Sequence, residues 1–243
     1  MPNLDLSLLI PCYNEEQILR DSIREVIEIL DNTRFNYEII FVDDCSRDDT
    51  RQIIDDIIDR YPDKNLSRIF HEKNTGRGGA VMDGIKAARG EIVGFIDIDL
   101  EVHARYIPSC VLAVKGGADI ASAYRIYKVY LKSLARYLMS KSYIALVRNL
   151  LKVNLKDTET GFKFFNRQRI LPIIEQIREK GWFWDTEIMV RAYLKGYRIK
   201  EIPCLFLRNL NKQSTVKCFS DSIDYFKKLL RFREILKKRE KSC

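Results

Sequence analysis

The chain has 243 residues, of which 46% are hydrophobic and 31% charged, so it can form one sizeable core and does not have the composition of a disordered protein. Residues 1–120 carry a net charge of −9 and residues 121–243 a net charge of +17, which predicts different partners for the two halves. No basic region precedes the first apolar run and no stretch of 18 apolar residues occurs, so we expect neither a signal peptide nor a membrane span.

The first half alternates apolar strands with amphipathic helices. In chain order the sequence predicts strand 6–12, helix 15–30, strand 37–44, helix 46–61, strand 67–72, helix 79–89 and strand 91–99. Apolar strands that alternate with helices are typical of an α/β fold, with a mostly parallel central sheet and helices on both faces. In open sheets of this kind, ligands bind beyond the carboxyl ends of the strands.

Polar residues follow three of the predicted strands and should converge on one crevice. They are Tyr13, Asn14 and Glu15, then Asp43 and Asp44, then Asp97 and Asp99. If the last strand continues through both of its aspartates, Asp97 and Asp99 face the same side, and Glu101 extends the series. Such carboxylates suit a Mg²⁺ or Mn²⁺ ion that bridges to a diphosphate. The alternative is that they cap loops or pair with lysines.

Residues 74–80 have the sequence NTGRGGA and form a glycine-rich loop at the start of the third predicted helix. Glycines such as Gly76 and Gly78 let backbone N–H groups approach a phosphate, and a helix N-terminus favours anions. Arg77 is then expected to stabilise negative charge on a diphosphate. No GK[ST] follows, so this is not a Walker A loop. The alternative is an ordinary turn.

Residues 121–156 contain eight basic residues and no acidic one. Lys128, Lys132 and Arg136 are spaced four apart, and apolar or aromatic residues recur every seven, which predicts one or two basic amphipathic helices interrupted near residues 140–142. Helices of this composition lie in a membrane interface and attract anionic lipids. The alternative is that they pack on the domain and expose their lysines. The C-terminal run 225–241 has a similar pattern and is predicted to be a second anchor or a frayed tail.

The order and spacing of four segments resemble those of the inverting family 2 glycosyltransferases: LLIPCYNEE, VDDCSRDDT, NTGRGGAV and FIDIDLE. Two later segments are similar to those of dolichyl-phosphate β-glucosyltransferases and, less closely, of dolichol-phosphate mannose synthases: DTETGFKFFNR at 157–167 and WFWDTEIMVRA at 182–192. The resemblance covers residues 5–235 and implies a GT-A nucleotide-sugar-binding fold. It also implies one continuous catalytic domain, with a nucleotide-sugar-binding half at 1–120 and an acceptor-binding half at 121–243.

The resemblance assigns roles on the donor side of the site. The nucleotide pocket would include Pro11, Tyr13, Glu15, Asp43 and Asp44, together with the loop of Gly76, Arg77 and Gly78. Asp44 would contact the base or the ribose, and Asp97 would lie near the ribose and the diphosphate. Asp99 would hold the metal ion, with Asp97 and Glu101 as further ligands.

The resemblance also assigns roles on the acceptor side. Arg125 would contact the acceptor phosphate, and Lys212 and Ser214 would belong to a loop that closes over the donor. The remaining carboxylates, Asp157, Asp185 and Glu187, would position the acceptor. If the acceptor were a sugar hydroxyl, one of them would instead have to remove its proton.

The predicted function is metal-dependent, inverting transfer of a hexose to a polyprenyl or dolichyl phosphate, with UDP-glucose favoured over GDP-mannose as donor. We expect a cytoplasmic protein that is peripheral on the cytoplasmic face of an anionic membrane, with a separate membrane protein as an additional partner and no nucleic acid. One alternative is a family 2 enzyme that extends a glycan hydroxyl. Another is a non-catalytic module that binds nucleotides or nucleic acid, which the basic pI of 9.1 permits.

Overall fold

The computed structural model describes residues 4–127, 134–207 and 218–240. Within these ranges the chain forms one seven-stranded sheet with helices on both faces. The strands are β1 (Leu6–Cys12), β2 (Tyr37–Asp43), β3 (Leu66–Phe70), β4 (Ile92–Ile96), β5 (Ile120–Tyr127), β6 (Phe162–Asn166) and β7 (Ile199–Phe206). The helices are α1 (Leu19–Asp31), α2 (Thr50–Arg60), α3 (Arg77–Ala87), α4 (Ile107–Lys115), α5 (Leu134–Leu151), α6 (Arg167–Ile174), α7 (Trp184–Leu194) and α8 (Cys218–Glu240), with a short 3₁₀ helix at Ala104–Tyr106 before α4.

The sheet has the strand order β3-β2-β1-β4-β6-β5-β7. Strands β1 to β4 are mutually parallel where they pair, and β5 is parallel to β7. Strand β6 is antiparallel to both of its neighbours, β4 and β5. The prediction of a mostly parallel sheet in an α/β fold is therefore confirmed.

Two apolar layers explain why the strands are apolar throughout. Leu8 and Ile10 of β1 pack with α1, α2 and α4 on one face, whereas Leu9 packs with α3 and the helices of the second half on the other. All three leucine or isoleucine side chains are fully buried. Because both faces are covered, neither side of the strand tolerates polar residues.

The prediction of helices over residues 121–156 is wrong for the first part of this segment. Residues 120–127 form strand β5, because its first four residues are small or apolar and are fully buried between β6 and β7. Tertiary packing thus decides the structure of a segment whose charge pattern favoured a helix. The second part is confirmed as α5, which continues through residues 140–142 without the predicted interruption. Lys128 and Lys132 lie outside the described residues.

The C-terminal run is a packed helix and not a frayed tail. Leu229 and Phe232 of α8 are buried, and the ring of Phe232 makes an edge contact with Phe183 at 5.8 Å between centroids. Lys228 forms an ion pair with Glu179 at 3.1 Å. Among the helices of the described ranges, none is both long and apolar enough to cross a membrane.

Candidate active site

The carboxyl ends of β2, β1 and β4 open onto the same edge of the sheet, because these neighbouring strands run parallel. The loop after each strand contains one non-glycine residue with positive φ: Asn14 at 56°, Cys45 at 66° and Leu100 at 51°. Such conformations are costly for residues other than glycine and often mark functional sites. The topology therefore agrees with the predicted convergence of polar residues on one crevice.

Hydrogen bonds join the loops that follow β1 and β2. The backbone N–H of Asn14 donates to Ser46 Oγ at 2.9 Å, and that of Glu15 donates to Thr50 Oγ1 at 2.8 Å. Tyr13, which directly precedes Asn14, is exposed. The predicted roles of Tyr13 and Glu15 in nucleotide binding are compatible with these positions and stay predictions.

Pro11 and Asp43 lie deeper, at the ends of their strands. Pro11 is half-buried within β1. Asp43 is fully buried, and its Oδ2 accepts hydrogen bonds from Arg51 Nε at 2.6 Å and from the backbone of Ser46 at 3.1 Å. Asp43 therefore orders the loop after β2, so that any contact with the nucleotide would have to be made by its second carboxylate oxygen.

Asp44 holds the glycine-rich loop in place. Its Oδ1 accepts hydrogen bonds from the backbone and the hydroxyl of Thr75 at 2.7 and 2.8 Å, and its Oδ2 accepts one from the backbone of Gly76 at 2.8 Å. Burial acts to raise the pKa of Asp44, but these hydrogen bonds and one from His71 outweigh it and lower the pKa. The predicted contact with base or ribose stays a prediction, because both oxygens already face the loop.

The glycines of this loop make room for neighbouring protein atoms, and their predicted contact with a phosphate stays a prediction. A Cβ on Gly76, whose φ is +86°, would lie 2.6 Å from the carbonyl oxygen of Lys180. A Cβ on Gly78 would lie 2.4 Å from the Cβ of Trp184, and the N–H of Gly79 donates to the Lys180 carbonyl at 3.0 Å. The start of α3 is therefore packed against the segment that leads into α7.

Arg77 lies at the centre of the crevice and bridges its two sides. Its guanidinium donates to Asp97 Oδ1 from Nε at 3.1 Å and from a terminal nitrogen at 2.6 Å, and its other terminal nitrogen pairs with Asp185. The rings of Phe95 and Trp182 each lie 5.2 Å from the guanidinium carbon. Burial acts to lower the pKa of Arg77, but Asp185 and Asp97 outweigh it and raise the pKa. These contacts give Arg77 a positioning role between Asp97 and Asp185, and its predicted contact with the diphosphate stays a prediction.

Sequence reasoning missed Lys163, which forms a buried ion pair with Asp185. The side chain of Lys163 is 0% exposed, and its Nζ pairs with Asp185 Oδ1 at 2.6 Å and with the carbonyl of Thr160. Burial acts to lower the pKa of Lys163. A lysine among the three phenylalanines of the strand FKFFN was the available signal, because a fully buried lysine requires a partner.

The carboxylates proposed for metal binding follow β4 in a turn and not in the predicted extended strand. Strand β4 ends one residue before Asp97, and the N–H of Leu100 donates to the Asp97 carbonyl at 3.2 Å. The N–H of Glu101 donates to Asp99 Oδ1 at 3.3 Å. A Cβ on Gly161 would lie only 1.8 Å from Asp97 Oδ2. Only glycine therefore fits at position 161 while the Asp97 carboxylate keeps this position.

The donor set of this turn fits a divalent ion that arrives with a diphosphate. Within the described residues, no group of three or more His, Cys, Asp or Glu side chains is arranged to hold a metal ion without other ligands. Mg²⁺, however, usually binds through one or two carboxylates together with substrate phosphates. Asp97, Asp99 and Glu101 are half-buried hard oxygen donors, and they suit that kind of site.

The acceptor-side residues form a second group of ionic contacts. Arg125 binds both carboxylate oxygens of Asp157, from Nε at 2.7 Å and from a terminal nitrogen at 3.0 Å. Burial acts to raise the pKa of Asp157, but Arg125 outweighs it and lowers the pKa. Glu159, which sequence reasoning missed, lies 3.6 Å from the same guanidinium. Burial is the largest cause that raises the pKa of Glu159 to about 7, and Asp157 and Asp185 add to it.

Glu187 lies outside this group of contacts, and its predicted role in positioning the acceptor stays a prediction. Its Oε1 accepts hydrogen bonds from Arg191 at 2.7 and 2.5 Å, and its Oε2 accepts one from the backbone of Glu179 at 3.3 Å. Glu187 therefore stabilises the packing of α7. Lys212 and Ser214 lie outside the described residues.

A carboxylate-rich crevice at the carboxyl edge of a mostly parallel α/β sheet defines a class of protein, the GT-A nucleotide-sugar-binding fold. Glucosyl-3-phosphoglycerate synthase from Mycobacterium tuberculosis, solved with Mn²⁺, UDP and glucosyl-3-phosphoglycerate, matches with a TM-score of 0.70 and 18% identity, over 95% of this chain and 80% of that one. The same enzyme with Mg²⁺ and UDP also matches with a TM-score of 0.70 and 18% identity, over 95% of this chain and 79% of that one. At these identities the similarity establishes the fold alone.

The chain belongs to glycosyl transferase family 2, whose sequence model matches residues 7–174. It is therefore a glycosyltransferase, and the hypothesis of a non-catalytic binding module is set aside.

Three curated relatives are similar to this chain over most of its length. Dolichyl-phosphate β-glucosyltransferase from Dictyostelium discoideum is 28% identical over 95% of this chain and 74% of its own length. Dolichyl-phosphate β-glucosyltransferase ALG5A from Trichomonas vaginalis is 29% identical over 82% of this chain and 64% of its own length. Glycosyltransferase AglD from Haloferax volcanii is 30% identical over 82% of this chain, which spans only 32% of AglD.

Proposed function

We propose that this glycosyltransferase transfers a hexose, with inversion, from a nucleoside-diphosphate sugar to a polyprenyl or dolichyl phosphate at a membrane surface. UDP-glucose is the favoured donor and GDP-mannose the alternative. Two of the curated relatives described above are named as dolichyl-phosphate β-glucosyltransferases, which supports this acceptor class. The observation that carries the proposal is a cationic pocket beside Arg125.

The pocket lies between β5 and α5 and has a volume of about 250 Å³. It is lined by Tyr124, Arg125, Tyr127, Lys141, Ile144, Ala145, Arg148, Lys156 and Asp157. Four of these residues are cationic, and the single acidic one is already paired with Arg125. A phosphomonoester carries a charge of about −1.5 to −2 at neutral pH, so this pocket complements it. A sugar hydroxyl would not require such a concentration of positive charge.

The proposal gives different tasks to the two groups of ionic residues. Asp97 and Asp99 would hold a Mg²⁺ or Mn²⁺ ion, which when bound supplies positive charge for the leaving diphosphate. Arg77 fixes the position of Asp97, and Arg125 orients the acceptor phosphate. An oxygen of the acceptor phosphate then bonds to the anomeric carbon from the face opposite the leaving diphosphate, and the bond between that carbon and the diphosphate breaks with its electron pair on the diphosphate. Because the second pKa of a phosphomonoester is about 6, the nucleophile is already ionised and requires no general base.

The proposal is tested by the choice of acceptor. Purified protein with Mg²⁺ or Mn²⁺ and radiolabelled UDP-glucose or GDP-mannose should transfer sugar to a polyprenyl phosphate and not to the matching free prenol. Product would be measured by extraction into organic solvent. Equal transfer to phosphate and alcohol, or transfer only to an oligosaccharide, would overturn the proposal in favour of a hydroxyl acceptor.

Arg125→Lys should raise the KM for the acceptor by at least about tenfold and leave the KM for the donor nearly unchanged. Lysine keeps the positive charge but cannot bind both oxygens of Asp157, so the pocket loses its geometry and not its charge. Arg198→Lys is the matched control, because Arg198 is exposed in the turn before β7. Steady-state kinetics with each substrate varied in turn would check this. Equal changes in both KM values would contradict a role specific to the acceptor.

The acceptor KM should rise as the pH increases through about 7, the pKa of Glu159. Ionised Glu159 places a negative charge 3.6 Å from the Arg125 guanidinium and weakens the attraction for a phosphate. The raised pKa of Glu159 also affects stability. The free energy of unfolding should fall between pH 4.5 and about 7, because over that range Glu159 keeps its proton in the folded protein but loses it in the unfolded chain. In Glu159→Gln the pH dependence of the acceptor KM and that of the free energy of unfolding should both be smaller. An unchanged pH profile of the acceptor KM in this variant would rule out Glu159 as their source.

Removing two cations from the outer face of α8 should weaken binding to anionic vesicles. Phe226 and Leu230 are exposed on α8 next to Lys227 and Arg231, a combination that suits a membrane interface. Each basic residue near such a surface contributes on the order of 1 kcal/mol, so Lys227→Gln with Arg231→Gln should weaken binding roughly 30-fold at low salt.

Sedimentation with anionic and neutral vesicles at two salt concentrations would measure this effect. The control is Arg60→Gln with Lys86→Gln, which removes two exposed cations from the acidic half. Binding that is the same for both vesicle types, or an equal loss in the control, would mean that α8 serves only as a packing element.

A further inference from the structure

Strands β5 and β7 expose a row of apolar side chains that the rest of the sheet does not. Ile126 of β5 is 43% exposed and its register partner on β7, Leu205, is 48% exposed. Pro203 is also exposed, and Leu207, just beyond the end of β7, is 52% exposed. Because side chains two apart on a strand share a face, these residues form one apolar surface, which we call the strand ledge.

The strand ledge is continuous with the cationic pocket. Tyr124 lines the pocket and precedes Ile126 by two positions, so both side chains lie on the same face of β5. Lys156 Nζ lies 4.6 Å from the centre of the Tyr124 ring. Ile144 and Ala145 of α5 add apolar atoms to the pocket wall. The surface therefore changes from cationic to apolar over the length of a few residues.

A second copy of the chain is a poor occupant of the ledge. Strand β7 is at the edge of the sheet, and an exposed edge would favour pairing with another strand. Pro203 lies in the middle of β7 and has no N–H to donate, which disfavours such pairing. Among the residues that form the ledge none is acidic, and Glu201 on the same strand is occupied by the backbone N–H groups of Lys156 and Asp157. A ligand with an anionic head and an apolar chain complements this combination.

We propose that the strand ledge binds the hydrocarbon chain of the acceptor while its phosphate occupies the cationic pocket. The inference rests on the proposed function and deepens it, because it makes chain length a determinant of acceptor binding. The isoprene units next to the phosphate would lie across Tyr124, Ile126 and Leu205, and the remainder of the chain would stay in the bilayer. Affinity should thus increase with the first few isoprene units and then level off.

The test compares a long-chain polyprenyl phosphate with a water-soluble phosphate of two isoprene units and with ethyl phosphate. Leu205→Ser and Ile126→Ser should each raise the KM for both prenyl phosphates about tenfold and leave the KM for ethyl phosphate and for the donor unchanged. Leu112→Ser, at an exposed leucine of α4, is the matched control and should change none of them. Thermal unfolding of each variant would show that the fold is retained, and Leu205→Thr provides a milder second variant.

The outcomes separate this inference from the proposed function. If no phosphate acceptor receives sugar, the proposed function fails. If all phosphates are accepted with the same KM whatever their chain, or if Leu205→Ser leaves the prenyl preference intact, the ledge proposal is overturned while the proposed function stands. If the variants lose binding to vesicles that contain no acceptor but keep the KM for the two-isoprene phosphate, the ledge contacts the bilayer itself and the proposal is again overturned.

Discussion

Asp99→Asn should reduce metal-dependent transfer by at least about 100-fold while the protein remains folded. The substitution preserves shape but removes the charge of a proposed ligand, and changes around bound metals commonly cost 10- to 100-fold or more. Asp99 belongs to the turn after β4, whose backbone is held by the bond between Leu100 and Asp97. Asp63→Asn, at an exposed position, is the matched control and should be silent.

Donor binding can be followed without measuring transfer. The sequence has two tryptophans: Trp184 is fully buried, whereas Trp182 is 46% exposed and lies against Arg77. A fluorescence change on adding UDP-glucose with Mn²⁺ should therefore come from Trp182 and be absent in Trp182→Phe. In Asp99→Asn the metal-dependent part of the change should shift to higher donor concentrations. Transfer at near-normal rate with saturating metal would refute the assignment of Asp99 as a ligand.

Arg77→Met should lower the free energy of unfolding by about 1–3 kcal/mol and abolish measurable transfer. The buried Asp185 loses one cationic partner and keeps Lys163, whereas Asp97 loses Arg77 but is partly exposed to solvent. Arg77→Lys should lose less stability but still be impaired, because one ammonium cannot hold both carboxylates as the guanidinium does.

Urea unfolding monitored by circular dichroism would measure the stability of these variants. Arg24→Met is the control: its ion pair with Asp21 is exposed on both sides, so it should change stability by less than about 1 kcal/mol. If Arg77→Met were as stable as the unmodified protein, the ionic contacts of Arg77 with Asp97 and Asp185 would not contribute to the stability of the fold.

Sequence reasoning succeeded where a residue's place in the fold follows from local pattern. The apolar strands and the loops that carry Tyr13, Asp44 and Asp97 follow from periodicity and from the rule that parallel strands open onto one edge. It did not foresee contacts that depend on which residue packs opposite. Position 78 has no room for a side chain because Trp184 lies against it, and Glu187 pairs with Arg191, one turn further along its own helix.

Charge pattern was the least reliable guide. Absence of acidic residues favoured helices throughout residues 121–156, yet the first part is a central strand whose small side chains fit a slot that only the assembled sheet defines. The same segment supplies Arg125, and its pairing with Asp157 joins positions 32 residues apart. Such pairs cannot be identified from spacing, since other carboxylates, such as Glu91 and Glu159, lie at similar distances along the chain.

The antiparallel strand β6 has a consequence for how the chain can be divided. It comes from the second half of the sequence but lies between β4 and β5, and so joins the two halves in one ladder of backbone hydrogen bonds. A chain severed near Gly117 would yield an amino-terminal fragment with β4, five buried residues long, as a bare edge, and a carboxyl-terminal fragment with β6 bare. Neither fragment is suited to exist alone, so a split version of this enzyme would gain activity only by fragment complementation during co-expression, and either piece made separately would tend to aggregate.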